Sequence, residues 1–146
     1  RMEAKVDTVM GRTAIITGGS NGIGKATALM MASEGIDLLI NLSASPWHMG
    51  KEKVRYRLLA EVAKREKIPV IQVNQVGGND ELVFDGQSMA VNRQGALLAV
   101  GASFAEDVKV VDLEGKSEKP IWRGEEEQVF RALVLGTRDY LHKCGF

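Results

Sequence analysis

The sequence predicts an α/β fold with a mixed sheet, built as a single domain, on three observations. A β-rich run, Thr13–Thr17, leads straight into a glycine-rich turn and a helix-patterned segment. Two further apolar runs, residues 36–42 and Val70–Asn74, alternate with helix-patterned stretches, the rhythm of parallel strands with helices packed across them. After Asn74 the rhythm gives way to short apolar runs separated by Asn, Gly and Asp, the pattern of antiparallel pairing.

Each element has its own warrant. Within residues 23–33, Ile23, Ala26, Met30 and Met31 recur at helical spacing, and Gly35 suits a left-handed cap. Residues 36–42 are apolar on both faces, as in a buried strand, so strand, helix and strand form a right-handed βαβ unit. Residues 43–50 read as a loop. Lys51–Glu66 is an amphipathic helix, with Val54, Leu58, Leu59 and Val62 expected inside and Lys53, Arg57, Glu61 and Lys64 in water; Pro69 ends it. Residues 77–80 are expected to be a turn or loop. Residues 88–91 and 96–100 flank Asn92-Arg-Gln-Gly95 as a hairpin, and residues 108–113 read as another strand. Residues 114–124 carry Pro120 and form a surface connection. Glu125–Lys143 is the last helix, with glutamates at its start and His142-Lys143 at its end suiting the helix dipole. Phe130, Leu133, Val134 and Leu141 are its expected apolar stripe, and Gly145 its cap. These helices cover mainly one face of the sheet. The other face needs a cover, and a second copy of the chain is the simplest, so a homodimer or higher homo-oligomer is expected.

Composition bounds the function. The chain has 146 residues, 45% hydrophobic and 26% charged, with 19 basic residues balancing 19 acidic ones. That balance offers no bulk attraction to nucleic acid or an anionic membrane. Cys144 is the single cysteine, which excludes an intrachain disulfide and fits a reducing, cytoplasmic setting. No apolar run reaches the roughly 18–20 residues of a membrane span, and the first residues lack a signal-peptide pattern.

The strand-turn-helix around Thr17-Gly18-x-x-x-Gly22-Ile23-Gly24 meets the context requirements of a dinucleotide-binding turn. Glycines let the backbone approach a pyrophosphate, and a helix start offers free N–H groups. Residues 11–35, through Arg12-Thr-Ala-Ile-Ile-Thr-Gly-Gly-Ser-Asn-Gly-Ile-Gly-Lys-Ala-Thr-Ala, resemble the first βα unit of short-chain dehydrogenases/reductases. The resemblance implies weak NAD or NADP binding through Thr17, Gly18, Ser20, Asn21, Gly22, Ile23 and Gly24. The catalytic Tyr-x-x-x-Lys of that family is absent: Tyr56 is followed four residues on by Ala60, and Tyr140 by Cys144. The alternative, that the loop merely connects strand to helix, stays open.

A second resemblance begins at Ile36-Asp-Leu-Leu-Ile-Asn-Leu-Ser-Ala-Ser-Pro-Trp-His-Met-Gly-Lys. It continues through Asn74-Gln-Val-Gly-Gly-Asn-Asp-Glu-Leu-Val-Phe-Asp-Gly-Gln-Ser and Ser103-Phe-Ala-Glu-Asp, and ends in Arg131-Ala-Leu-Val-Leu-Gly-Thr-Arg-Asp-Tyr. This part, residues 35–146, is similar to the second half of the nitrilase-type glutaminase domain of glutamine-dependent NAD synthetases. The likeness implies half of a nitrilase-like αββα sandwich, with Ser45 and Lys51 touching a glutamine substrate. Its chemistry calls for a cysteine nucleophile, a glutamate base and a lysine, the cysteine standing at the end of the strand before the joined βα unit. Here that strand ends in Ile16-Thr17-Gly18, and Cys144 takes the place of a non-catalytic cysteine. The expectation is a recombined chain, a Rossmann-like βα unit over residues 11–35 joined to a nitrilase-like half-domain over residues 36–146, and catalytically inactive. Weak nucleotide or phosphate binding and residual glutamine amide hydrolysis are the alternatives.

Other candidates have blander readings beside them. His48 lacks a second ligand at metal spacing. Asp80, Glu81 and Asp85 read either as paired carboxylates or as turn formers, the turn being preferred. Glu125-Glu-Glu127 reads as helix-start charge. Trp47 and Trp122 are as suited to packing as to ligand contact.

Overall fold

The computed structural model describes residues 12–18 and 22–146, and only the backbone of Gly22, Ile23 and Lys25. Ser20 and Asn21 of the glycine-rich turn lie outside the described residues. Strands β1 (Thr13–Thr17), β2 (Leu38–Ser43) and β3 (Val70–Asn74) pair in parallel, connected through α1 (Gly22–Ser33) and α2 (Lys51–Glu66). β4 (Val76–Asn79) and β5 (Leu82–Asp85) form a separate antiparallel hairpin. β6 (Met89–Val91) and β7 (Leu97–Val100) return antiparallel, so among the described residues the main sheet has five strands in the order β1-β2-β3-β6-β7. The last helix, α3 (Glu125–Lys143), packs on β4 and β5 rather than on the main sheet.

Local chemistry explains the boundaries. Gly35 and Gly145 take φ values of 80°, the left-handed conformation that closes α1 and α3. The β6–β7 turn is held by the Asn92 side chain, whose Oδ1 accepts from the N–H groups of Gln94 and Ala96. Gly95 (φ 74°) seats this turn against α2, where an added Cβ would stand 2.8 Å from the Ala60 carbonyl oxygen.

One face of the main sheet is packed. Ala14, Ile16, Leu39, Val70, Met89 and Val91 meet Ala28 of α1 and Leu59 and Ala63 of α2 in one core. The opposite face is bare in the expected way. Ile15, Ile40 and Ile71 form one row across the strands and Thr17, Leu42 and Val73 the next, with Ile15 64%, Leu42 39% and Val73 44% exposed.

Four expectations are corrected. Residues 108–113 form no strand, and Val108 and Val110 are exposed; the segment is tied down by Lys109 Nζ donating to the Val100 carbonyl and by the Ala102 N–H donating to Asp107, not by a ladder. Residues 77–80 are not a plain turn, because Gly77, Gly78 and Asn79 belong to β4. Glycine serves close approach there: a Cβ on Gly78 would lie 3.1 Å from the Gly136 Cα in α3. On α2, Leu59 is buried but Leu58 is exposed, and Glu52, Arg55, Ala60 and Ala63 take the inner positions. On α3, Phe130, Leu133, Val134 and Leu141 all face out, and Gln128, Ala132 and Leu135 are buried.

Candidate functional site

The carboxyl ends of parallel strands are where open α/β sheets expose backbone and polar groups. Here the loop after β2 gathers at the end of β3. The Gln75 N–H donates to the Ser43 carbonyl at 2.9 Å, and the Ser43 hydroxyl accepts from Asn41 Nδ2 (3.0 Å) and Gln72 Nε2 (3.2 Å). The Ser45 N–H donates to Asn74 Oδ1 at 2.9 Å. The Trp47 N–H donates to the Val83 carbonyl at 2.7 Å, and its ring meets Phe104 edge-on at 5.7 Å. Lys51 opens α2, its N–H donating to the His48 carbonyl at 3.1 Å.

Ser45 and Lys51, the residues expected to face a glutamine, are therefore on one pinned loop, both half-buried. Among the described residues no hydrogen bond joins their side chains, and the Lys51 ammonium has no ion-pair partner. A hydroxyl and an unpaired cation on a fixed loop suit a ligand carrying a carboxylate or an amide. The end of β1 is next door: Thr17 is in register with Leu42, and the Gly18 N–H donates to the Leu42 carbonyl at 3.0 Å. Gly18 has φ 65°, and a Cβ on Gly24 would stand 2.6 Å from its carbonyl oxygen, so the start of α1 lies close against the end of β1. The position expected for a thiol holds Thr17-Gly18. Cys144 is exposed at the far end of α3.

Sequence reasoning missed the polar cluster beneath this loop. Arg55 (4% exposed) ion-pairs with Asp85 (1%) through Nη2, and its Nη1 donates to the Gly86 carbonyl at 3.3 Å. Asn74 Nδ2 donates to the same carbonyl at 2.9 Å and to Asp85 Oδ1 at 3.4 Å. Glu52 (1% exposed) accepts from Gln128 Nε2 at 3.2 Å, linking α2 to α3. Glu52 Oε2 and Arg55 Nε have no hydrogen-bond partner. Glu52 is thus a second buried carboxylate close to the Arg55–Asp85 pair. Burial pushes the Asp85 carboxyl above its ordinary range, Arg55 pulls it back, and Glu52 adds to the rise. The available signal was the spacing of Glu52, Arg55, Leu59 and Ala63, a helical stripe that competes with the larger Val54, Leu58 and Val62.

The remaining candidates separate. Asp80 and Glu81 are exposed between β4 and β5 while Asp85 is buried, so the three do not form a carboxylate pair. His48 is exposed, its Nδ1 2.9 Å from the Met49 carbonyl oxygen. Glu127 pairs with Arg131 and Arg123, which hold its carboxyl below the usual range, the hydrogen bond from Arg131 most of all. Trp122 packs beside Tyr56. A cavity of about 280 Å³ on the bare side of β3, β6 and β7, lined by Ile71, Val73, Ser88, Ala90 and Ala99 among others, includes neither Ser45 nor Lys51.

The carbon-nitrogen hydrolase family model matches residues 22–119. The chain belongs to the carbon-nitrogen hydrolase family. Among its relatives are glutamine-dependent NAD(+) synthetases. It is 44% identical over 123 residues to that of a Synechocystis species, covering 80% of this chain and 22% of the relative. To that of Thermotoga maritima it is 33% identical over 158 residues, covering 82% and 27%. The solved glutamine-dependent NAD+ synthetase of Acinetobacter baumannii, in complex with ADP, superposes with a TM-score of 0.79 at 27% identity over 92% of this chain and 26% of that one. The chain thus spans roughly a quarter of the length of these relatives. Its architecture is that of half a nitrilase-like domain, and the family match, starting at residue 22, takes in α1 as well as the loop of Ser45 and Lys51.

Proposed function

We propose that the chain is a catalytically silent carbon-nitrogen hydrolase half-domain that keeps part of a glutamine-binding wall in Ser45 and Lys51. The observation that carries this reading is the end of β1, where Thr17-Gly18 adjoins β2 just before the Ser45 loop and supplies no thiol. Acyl transfer from an amide needs an activated nucleophile and a donor set for the oxyanion. Among the described residues no base bonds the Thr17 hydroxyl, which makes it a poor substitute. The names of the relatives support glutamine as the ligand. The resemblance of residues 11–35 to a dehydrogenase-type βα unit supports a recombined chain, in which a phosphate-type turn occupies the place of the nucleophile turn.

The test is ammonia release from glutamine. The unaltered protein is expected to release ammonia at the rate of buffer alone. Steady release that disappears in Ser45→Ala would overturn the reading, and persistence of such release in Cys144→Ser would exclude the single thiol as its source.

A further inference from the structure

We infer that Asn74 is the positioning residue of the Ser45 loop, held for that task by Asp85, Arg55 and the Gly86 carbonyl. The inference deepens the proposed glutamine wall and rests on it for the identity of the ligand.

Asn74 ends β3, and its side chain is buried and fully engaged. Its Oδ1 accepts the Ser45 N–H at 2.9 Å, and its Nδ2 donates to the Gly86 carbonyl at 2.9 Å and to Asp85 Oδ1 at 3.4 Å. The donors fix which way the amide faces, because the Gly86 and Asp85 oxygens leave no donor on their side for Oδ1 to meet. The orienting groups are themselves anchored. Arg55 clamps Asp85 and reaches the same Gly86 carbonyl, and the Asn74 backbone N–H donates to the Ser88 hydroxyl at 3.0 Å. Gly86 and Gln87 take φ values of 64° and 51°, a left-handed pair that turns the Gly86 carbonyl inward. A Cβ on Gly86 would press to 3.3 Å from that of Val76. The chain Arg55–Asp85–Asn74–Ser45 therefore carries rigidity from α2 through the buried cluster to Ser45, between the two places where Ser43 and Trp47 also pin the loop. Precise placement of ligand groups depends on such supporting bonds.

The experiment measures amide hydrogen exchange at Ser45 and glutamine affinity, both by NMR, in the full chain. Asn74→Ala is expected to speed exchange at Ser45 by about five- to tenfold, the worth of one hydrogen bond, and to weaken glutamine binding by a similar factor. Gln72→Ala is the control. It removes a neighbouring buried amide that bonds Ser43 instead, and is expected to lower the melting temperature without changing Ser45 exchange. Unchanged exchange at Ser45 in Asn74→Ala, or an equal change in Gln72→Ala, overturns the role of Asn74. Should Asn74→Ala fail to fold, the unaltered chain decides: the Ser45 amide is expected to exchange more slowly than that of its exposed neighbour Ala44, and equal exchange at the two overturns the inference. Failure of the unaltered protein to bind glutamine overturns the ligand reading alone, because the exchange measurement needs no ligand.

Discussion

Helices α2 and α3 have the same limits in the sequence pattern and in the fold, yet they sit in it differently. α2 turns charge inward: Glu52 and Arg55 are buried beneath the sheet-end loop while Leu58 is half in water. α3 turns its large apolar side chains outward, leaving Phe130 and Leu133 66% and 65% exposed, and presents Gln128, Ala132 and Leu135 to β4 and β5. The two are joined by one bond, Gln128 Nε2 to Glu52 Oε1. Amphipathic pattern states that a helix has two faces, and packing partners decide which one goes in. For α2 the partner is Asp85, a carboxylate that only a cation can match. For α3 it is a glycine-bearing hairpin, which accepts small residues at close range: a Cβ on Gly136 would lie 3.2 Å from Val83.

The largest way to break this contrast is at Arg55. Removing the guanidinium leaves Asp85 buried without its cation, and breaking a buried ion pair from one side costs about 3–5 kcal/mol. Arg55→Met is expected to lower the thermal midpoint by roughly 10 °C in circular dichroism, given about 2–4 °C per kcal/mol for a chain near this size. Arg55→Met with Asp85→Leu should recover most of that loss, since the pair replaced together leaves no orphaned charge. A single-variant loss below about 1 kcal/mol would mean that the cluster is wet or mispaired.

On α3 the corresponding contrast is between Leu135 and Leu133. Leu135 is 3% exposed and packs with Ala132 and Phe104, so Leu135→Ala should cost about 2–5 kcal/mol. Leu133→Ala should stay within about 0.5 kcal/mol in urea unfolding of the chain as a monomer. A comparable loss at Leu133 would show that this surface is covered in solution.

The same contrast explains what could be read in advance. β1, β3, α2 and α3 are bounded where the apolar runs, Pro69 and the glutamate cluster put them, because those signals are local. Residues 108–113 alternate like a strand, but a strand needs a neighbour, and the edge of β7 offers them only the Lys109 bond to Val100. Gly77-Gly78 suggested a turn because glycine is the commonest turn signal; its use for close approach to α3 depends on a helix more than fifty residues later in the chain. Ser45 and Lys51 were singled out through a family motif, and the fold sets one on the loop after β2 and the other at the start of α2. The cluster of Asn74, Asp85 and Arg55 was not legible, because it is assembled from three separate elements and its one periodic trace, the stripe of Glu52 and Arg55 on α2, competes with larger apolar residues.

The smallest effect is a difference between two carboxylates, Asp85 beneath α2 and Asp139 on α3. Burial raises the Asp85 carboxyl, so the folded chain holds that proton more tightly than the unfolded one; its contribution to stability is present below pH 3.8 and is lost as pH rises through the folded value. At Asp139 burial also pushes upward, but the Gly78 N–H at 2.8 Å, Arg138 and Lys143 together outweigh it and lower the carboxyl. Its contribution is present above pH 3.8 and lost as pH falls through the folded value. Relative to the unaltered chain, Asp139→Asn is therefore expected to be less stable at pH 7 by a few tenths of a kcal/mol after solvent screening, the gap closing toward pH 3. Asp85→Asn should show the opposite slope, gaining on the unaltered chain as pH climbs. Denaturant midpoints of the three proteins at several pH values between 3 and 7 decide it, and parallel curves would remove the opposed environments assigned to α2 and α3.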